Sequence, residues 1–166
     1  MKGNPRKIAV MSVAAFFLIL SSLSFASAEE YAAMKGVNSV NAIFDMRDDN
    51  LQTAGIHLNL IHDTYKELAA MKKAPVFVVV FMGPAVKLIS RDRSGFTAEE
   101  QKSLNEIAGI ISKMSKAGIR VEVCLFAVKL FGVEPASILP EIERVGNGWI
   151  SEIGYQAKGY SLVPVY

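Results

Sequence analysis

Cys124 is the single cysteine of the 166-residue chain, and it stands where a predicted strand meets a predicted helix. A thiol at a helix N-terminus can act as a nucleophile, because the unpaired amides and the helix dipole there favour the thiolate. Apolar neighbours such as Val123 and Leu125 oppose this effect by favouring the neutral thiol. The sequence therefore leaves two alternatives, a reactive cysteine or a small buried apolar residue. A single cysteine excludes an internal disulfide, a CxxC pair and a thiolate-rich metal site.

Two further segments follow predicted strands at what should be the same edge of a sheet. Residues 45–50 (DMRDDN) follow the first predicted strand, and residues 82–84 (MGP) follow the second. Ligands collect outside the carboxyl ends of the strands in an open parallel sheet, because loops and helix N-termini converge there. We therefore predict a pocket around Cys124. The residues predicted to shape its mouth are Asp45, Arg47, Asp49, Met82 and Gly83.

The acidic residues Asp45, Asp48 and Asp49 leave two interpretations open. They could act as acid/base groups or bind a cation. Acids that follow a strand more often form a solvated turn and a helix N-cap, and the cap here would be Asp49 or Asn50. The same negative charge argues against a flavin or nucleotide phosphate in this loop, and the sequence contains no GxGxxG or GxxxxGK[ST] motif.

The remaining side chains give no pattern of a metal or cofactor site. His57 and His62 are the two histidines, and five residues apart on a helix they project about 140° apart, so they cannot hold one ion together. We therefore expect neither a metal nor a cofactor. Trp149 follows a Gly-Asn-Gly turn, and we expect it to anchor the core rather than to stack on a ligand.

Composition and charge limit the class of protein. Hydrophobic residues make up 51% of the chain and charged residues 20%, which is typical of one globular domain. The formal charge of +2 depends on Lys2, Arg6 and Lys7 near the N-terminus. From residue 29 onwards there are 15 basic and 16 acidic side chains, a net charge of −1. This balance removes the electrostatic case for nucleic-acid binding.

Residues 1–28 have the pattern of a signal peptide. Three cations precede an apolar run over residues 8–20, and small residues then end in Ala26-Ser27-Ala28. The alternative is an uncleaved anchor, but the run is shorter than the ~20 residues that span a bilayer. We expect cleavage after Ala28, which leaves residues 29–166 as one domain without a stable membrane anchor. The mature protein would be exported, and in a Gram-negative bacterium it would be periplasmic.

Beyond the N-terminal segment, strand and helix patterns alternate to the C-terminus, as in α/β proteins. Thr97 and Glu100 have the spacing of a capping box, and Gly118 is placed to end the helix that follows. The predicted strands are 40–46, 75–82, 119–123, 142–145 and 160–165, and the main predicted helices are 51–71, 98–117, 124–131 and 149–158. We predict a single three-layer α/β/α domain with a mainly parallel sheet of four or five strands.

Three segments together resemble the DsrE/DsrF-like family of sulfur-relay proteins, which includes the TusD type. They are residues 80–86 (VFMGPAV), 121–133 (VEVCLFAVKLFGV) and 159–166 (GYSLVPVY), and the resemblance covers about residues 40–166. TusD-type members carry sulfur as a persulfide on a cysteine at the position of Cys124. The resemblance therefore implies that role for Cys124, a homo-oligomer of three or six copies, and a protein that donates or accepts the sulfur.

Two features depart from the family pattern. Its well-known members are cytoplasmic, whereas this chain has an export signal, and no histidine or second cysteine adjoins Cys124. The resulting hypothesis is an exported sulfur carrier or sulfurtransferase-like protein that uses Cys124. The alternative is a non-catalytic oligomeric binding or adaptor protein with the same fold and a structural cysteine.

Overall fold

The computed structural model of the protein describes residues 31–166, so the signal peptide predicted for residues 1–28 lies outside the described residues. Residues 31–36 contain one turn of 3-10 helix, Ala32–Met34. Residues 37–166 form a separate unit that holds the sheet. Among the described residues, none of the helices has both the length and the apolar character needed to cross a bilayer.

Strands and helices alternate through residues 37–166 as the sequence predicts. In chain order the elements are β1 (Val40–Met46), α1 (Leu51–Ala70), β2 (Pro75–Phe81), a 3-10 helix (Gly83–Ile89), α2 (Ala98–Lys116), β3 (Arg120–Cys124), α3 (Leu125–Leu130), a 3-10 turn (Pro135–Ser137), β4 (Glu143–Val145), α4 (Gly148–Ala157) and β5 (Ser161–Val165). The strand order is β4-β3-β2-β1-β5, and every neighbouring pair is parallel. The prediction of a mainly parallel sheet of four or five strands is confirmed.

Helices cover both faces of this sheet. On one face the ring of Tyr65 in α1 packs against Phe77 in β2, with 5.5 Å between the ring centroids. On the other face the Tyr155 hydroxyl of α4 donates a hydrogen bond of 2.7 Å to Glu122 in β3. Glu122 is in register with Val80, which lies three residues beyond Phe77 and therefore points to the opposite face. This arrangement is the predicted three-layer α/β/α domain.

The centre of the sheet explains why its strands are continuous apolar runs. Residues 77–81 of β2 are almost completely buried, because β1 and β3 flank the strand and helices cover both of its faces. The edge strand β5 is mostly exposed by contrast. Pro164 is tolerated in β5 because an edge strand can lack one backbone donor.

The helix boundaries follow local capping signals. Asn50 caps α1, since its Oδ1 accepts hydrogen bonds from the amides of Gln52 and Thr53, which decides between the two predicted caps. Thr97 and Glu100 form the predicted capping box of α2. Gly118 adopts φ +91° just after α2, a conformation that glycine adopts without strain. These local signals place the ends of the helices, and through them the loops at the carboxyl edge of the sheet.

Candidate functional site

Arg47, Met82 and Cys124 lie side by side at the carboxyl edge of the three central strands. The last paired residues of these strands, Met46, Phe81 and Val123, are in register with one another. The residue that follows each of them therefore lies at the same level and on the same face of the sheet. Segments that are distant in the sequence thus contribute three neighbouring side chains.

These side chains line a cleft of about 440 Å³ between the sheet edge, α3 and the turn before α4. Its lining residues are Arg47, Met82, Gly83, Pro84, Cys124, Phe126, Ala127, Leu130, Phe131, Asn147 and Trp149. Of these residues, Arg47 is the one with a charged side chain. Cys124 is 5% exposed, so its thiol belongs to the wall of the cleft rather than to the open surface. The cleft is therefore an apolar cavity with one thiol and one cation.

The first residue of α4 packs directly against Cys124. Asn147 caps this helix by accepting a hydrogen bond of 3.0 Å from the amide of Trp149. A Cβ atom added at the next position, Gly148, would overlap Sδ of Met82 and lie 3.0 Å from Cβ of Cys124. Glycine is therefore required here for space, a role that the sequence, read as a Gly-Asn-Gly turn, did not reveal.

The prediction that Trp149 anchors the core is wrong. Its side chain is 61% exposed, at the mouth of the cleft. Four more large apolar residues on α3 and α4 are also exposed. We call this set the apolar rim, and its members are Phe126, Leu130, Trp149, Ile150 and Ile153. The apolar side of α4 faces outward because the side that faces the sheet carries polar residues.

Two buried carboxyl groups lie close together beneath α4. Asp45 of β1 and Glu152 of α4 are each 6% exposed, and the charge of Asp45 acts on Glu152. Oδ1 of Asp45 and Oε1 of Glu152 are buried and have no hydrogen-bond partner among the described residues. An ionised carboxylate only accepts hydrogen bonds, so an ionised Glu152 would keep a buried charged oxygen without a donor. Of the two interpretations that the sequence left open for Asp45, the solvated turn does not hold, because Asp45 is buried beneath α4.

Burial and charge set the protonation of this carboxyl pair. Burial and then the charge of Asp45 raise the pKa of Glu152, the charge of Arg47 acts in the opposite direction, and the net result is a pKa of about 7. The Arg47 Nε donates a hydrogen bond of 2.7 Å to Oδ2 of Asp45. Burial acts to lower the pKa of Arg47, but the hydrogen bond and charge of Asp45 outweigh burial and leave that pKa above its ordinary value. Glu152 thus keeps its proton up to about neutral pH, close to the charged guanidinium of Arg47.

A second buried acid on the same face, Glu122, is fully hydrogen-bonded. The hydroxyls of Ser151 and Tyr155 on α4 both donate to its carboxylate. Arg120 donates in turn to the Tyr155 oxygen over 3.0 Å. Burial is the main cause of a raised pKa of Tyr155, and the adjacent Glu122 acts in the same direction. Satisfied groups of this kind indicate a structural role in fixing α4 to β3.

The other acids of the first loop lie away from the cleft. Asp48 is buried rather than solvated, since its carboxylate contacts Nδ1 of His57 at 2.9 Å and accepts from the Asn50 amide. Asp49 is exposed in a separate depression near the starts of α1 and α2. The structure therefore brings Arg47, Met82 and Gly83 to Cys124, places Asp45 behind Arg47, and leaves Asp49 apart. Within residues 31–166, no three potential ligand side chains are grouped so as to hold a metal ion.

The chain is similar in sequence to a known family and to another protein. The family model described as "DsrE/DsrF-like family" matches residues 15–165. A protein from Aquifex aeolicus with the description "Uncharacterized protein" is 26% identical over 149 residues, which cover 89% of this chain. The matched region spans 61% of the length of that relative.

Two solved structures share the fold. MTH1491 of Methanobacterium thermoautotrophicum, a protein of unknown function, has a TM-score of 0.61 at 15% identity, over 76% of this chain and all of its own. The ychN protein of E. coli has a TM-score of 0.50 at 12% identity, over 76% of this chain and 99% of its own. At these identities the two structures establish the fold alone.

The contact of Gly148 with Cys124 predicts opposite effects for two glycines of α4. Gly148→Ala should destabilise the protein by about 1 to 3 kcal/mol, because its Cβ would overlap Met82. Gly154→Ala is the matched control, since a Cβ there meets nothing within 4 Å and should stabilise the helix by up to about 1 kcal/mol. Urea unfolding measures both free energies. Equal changes in the two variants would contradict the close packing at Cys124.

The raised pKa of Glu152 predicts that stability falls as pH rises. Unfolded Glu152 ionises near 4.5, whereas the folded protein retains the proton up to about 7. The unfolded state therefore loses the proton first, and the free energy of unfolding should fall by about 3 kcal/mol between about pH 4.5 and pH 7 and then level off. Carboxyls with a lowered pKa, such as those of Asp63 and Glu100, change the free energy of unfolding only below this pH range.

Glu152→Gln should remove this fall, because glutamine is neutral at both ends of the range. The variant should then be more stable than the native protein at about pH 8 and similar to it at about pH 5. Glu143→Gln, an exposed acid of β4, serves as the control and should keep the native pH dependence. Urea unfolding at the two pH values measures these differences, and an unchanged slope in Glu152→Gln would contradict the assignment.

Proposed function

The chain belongs to the DsrE/DsrF-like family, which is related to sulfur-relay proteins, and from this premise we propose that it carries sulfur as a persulfide on Cys124. The observation that carries the proposal is the position of Cys124 in the wall of a cleft of about 440 Å³. This volume accommodates an additional sulfur atom and part of a small donor molecule. The chemistry is group transfer, and it needs no bound metal.

Each transfer step exchanges one sulfur–sulfur bond for another. The Cys124 thiolate attacks the outer sulfur of a donor persulfide, RSSH, forming Cys124–S–SH and releasing RS⁻. In the second step an acceptor thiolate attacks the outer sulfur of the Cys124 persulfide, and the Cys124 thiolate leaves. No net oxidation occurs in either step, so the carrier returns to its starting state. The donor and the acceptor are other molecules, and the protein holds the sulfur between them.

The structure supports this role through the surroundings of the thiol. Met82, Ala127 and Phe131 line the cleft and limit access of water to sulfur bound at Cys124. Cys124 also lies beside the first residue of α4, where the helix dipole favours negative charge. Both features favour an anionic sulfur species that is shielded from solvent.

One observation favours a second candidate, in which Cys124 is only part of the core. Its residue is 5% exposed, a value that is typical of a packed apolar side chain. The protein would then be a non-catalytic binding or adaptor protein that keeps the family fold. The two candidates differ in whether the thiol reacts in the native state.

Mass spectrometry of the intact protein distinguishes the two candidates. After incubation with a small persulfide, which releases a thiolate, or with thiosulfate, which releases sulfite, the native protein should gain the mass of one sulfur atom, and reduction should remove it. Cys124→Ser should gain none, because its hydroxyl does not attack the donor. Alkylation of the loaded protein should give an adduct that is heavier by one sulfur atom, and reduction should release this adduct because it is held by a disulfide bond. A thiol that reacts with neither donor nor alkylating reagent until the protein unfolds would identify Cys124 as a core residue.

We further propose that the protein acts outside the cytoplasm. The support is the sequence of residues 1–28, in which cations, an apolar run and Ala26-Ser27-Ala28 follow one another. Cleavage after Ala28 would give a mature chain that begins at Glu29, in the periplasm if the source is Gram-negative. The sulfur donor and acceptor would then be exported or small molecules that reach that compartment.

The same proposal includes assembly of several copies through the apolar rim. Three large exposed apolar side chains line the cleft, and two more, Ile150 and Ile153, are exposed on α4; such a surface is of the kind that protein interfaces cover. Members of the family assemble into trimers or hexamers, and this implies a homo-oligomer here. Assembly would cover the rim and narrow the entrance to Cys124, so that a sulfur donor or acceptor would approach from the side that remains open.

Sedimentation measures this assembly directly. The native protein should sediment as an oligomer, and Ile153→Glu should sediment as a smaller species, because a charge on the outer side of α4 opposes burial of the rim. Ile56→Glu is the control, since Ile56 is a similarly exposed apolar residue on α1 that is not part of the rim. A native monomer, or an equal effect of both substitutions, would contradict assembly through the rim.

A further inference from the structure

We propose that Arg47, Asp45 and Glu152 make the Cys124 cleft a binding site for a small sulfur-bearing anion, and that the Asp45–Glu152 pair takes up a proton when the anion binds. The inference rests on the proposed function, because the cleft is the same one, but it concerns the ligand rather than the covalent step. The ligand class is an anion with a terminal sulfur atom, of which thiosulfate is the simplest member.

Arg47 provides the positive charge that such an anion needs. Its side chain is about one-third exposed and lines the cleft beside Cys124. The hydrogen bond to Asp45 uses Nε, and the two terminal nitrogens have no acceptor among the described residues. A guanidinium can donate two parallel hydrogen bonds to an oxyanion. The arginine is thus held by Asp45 in a position where its free donors can bind an anion in the cleft.

The rest of the cleft favours sulfur over a fully hydrated anion. Met82, Phe126, Leu130 and Phe131 present thioether, aromatic and aliphatic surface. Sulfate would have to lose strongly bound water at every oxygen to enter an apolar space, and this costs free energy. A terminal sulfur is larger, more polarisable and more weakly hydrated, and sulfur makes favourable contacts with aromatic rings. We therefore expect the oxygens of the anion at Arg47 and its terminal sulfur at Cys124.

The carboxyl pair determines whether the Arg47 charge is available to the ligand. With one proton on the pair, Arg47 and the pair sum to zero charge. After that proton is lost, the two carboxylates outweigh Arg47, and the cluster repels an anion. Asp45 Oδ1 and Glu152 Oε1 are buried and have no hydrogen-bond donor among the described residues, so loss of the Glu152 proton leaves a buried charge that no donor stabilises. An arriving anion stabilises the protonated pair, and the linkage is reciprocal, so protonation strengthens binding of the anion.

Other ionisable groups approach this cluster from the surrounding elements. Tyr166, just after β5, acts electrostatically on Arg47. Glu122 on β3 is held by Ser151 and Tyr155 of α4. On the α1 side, Asp48 is paired with His57, and the Cys124 thiol lies in the wall of the cleft itself. The test must therefore distinguish proton uptake by Glu152 from any contribution of Cys124 or His57.

Calorimetric titration of the Cys124→Ser protein with thiosulfate tests the proposal without covalent chemistry. Affinity should be about tenfold higher at about pH 6 than at about pH 8. Near pH 7, titrations in buffers of different ionisation enthalpy should show net proton uptake on binding. Sulfate has the same charge and should bind at least about tenfold more weakly. Equal binding of both anions would overturn the ligand class, and absence of proton uptake would overturn the coupling.

Three substitutions in the Cys124→Ser protein assign the effect to residues. Arg47→Gln should weaken thiosulfate binding by about tenfold or more, whereas Arg47→Lys should retain part of it. Glu152→Gln should still bind, but without proton uptake and without pH dependence. His57→Gln is the control and should keep both. Undiminished binding by Arg47→Gln, or proton uptake that survives in Glu152→Gln, would contradict the proposal.

Failure of this inference and failure of the proposed function give different results. A native protein that forms the persulfide while Cys124→Ser binds no thiosulfate would overturn the anion site alone. A Cys124→Ser protein that binds thiosulfate with proton uptake, beside a native thiol that never gains sulfur, would overturn the carrier role alone. Thermal unfolding of each variant checks that it is folded. If Arg47→Gln does not fold, proton uptake by the Cys124→Ser protein on thiosulfate binding tests the anion site instead.

Discussion

The in-register pairing of β1, β2 and β3 is the constraint on which the whole site depends. Parallel hydrogen bonding fixes Met46, Phe81 and Val123 in one row, and the following residues leave the sheet at one level. The register is strongly specified, because both faces of these strands are buried and a slip of one residue would exchange the faces. The loops beyond the strands can therefore vary without moving Arg47 away from Cys124.

The same face of the sheet holds two buried acids that the protein treats differently. Glu122 accepts hydrogen bonds from two hydroxyls of α4 and so helps to fix that helix to β3. Glu152 lies beside Asp45 and has a raised pKa, and each of the two carboxyls has one buried oxygen without a hydrogen-bond partner among the described residues. A buried pair of this kind lowers stability above its pKa, and such groups concentrate where a protein uses their titration. The contrast points to Glu122 as structural and to the Asp45–Glu152 pair as functional.

The orientation of α4 connects the cleft to the outer surface. Most helices that pack on a sheet turn their apolar side inward. In α4 the inward side carries Gly148, Ser151, Glu152 and Tyr155, because the sheet beneath it offers Asp45 and Glu122 as partners. The apolar side, with Ile150 and Ile153, is left exposed. The placement of one helix therefore determines both the close contact at Cys124 and the surface proposed for assembly.

The sequence by itself determined the features that depend on neighbouring residues. The apolar run of β2, the capping box of Thr97 and Glu100, the stop at Gly118 and the strand-to-helix junction at Cys124 all follow from local patterns. The parallel order of strands followed from their alternation with helices. Arg47 and Met82 could be assigned to the same edge of the sheet as Cys124, because each follows a predicted strand. The position of each residue relative to its strand was sufficient for that assignment.

Only the tertiary structure decided which polar groups meet. Nothing near Glu152 in the sequence indicates that it faces Asp45, more than a hundred residues away, and nothing near Gly148 indicates that it contacts Cys124. Trp149 was assigned to the core for the same reason, and the sequence left open whether Asp45 lies in a solvated turn. Local periodicity shows that α4 has two sides, but the side that faces the sheet depends on the polar residues that the sheet presents. Those contacts form across strands, so their energy is absent from any local stretch of sequence.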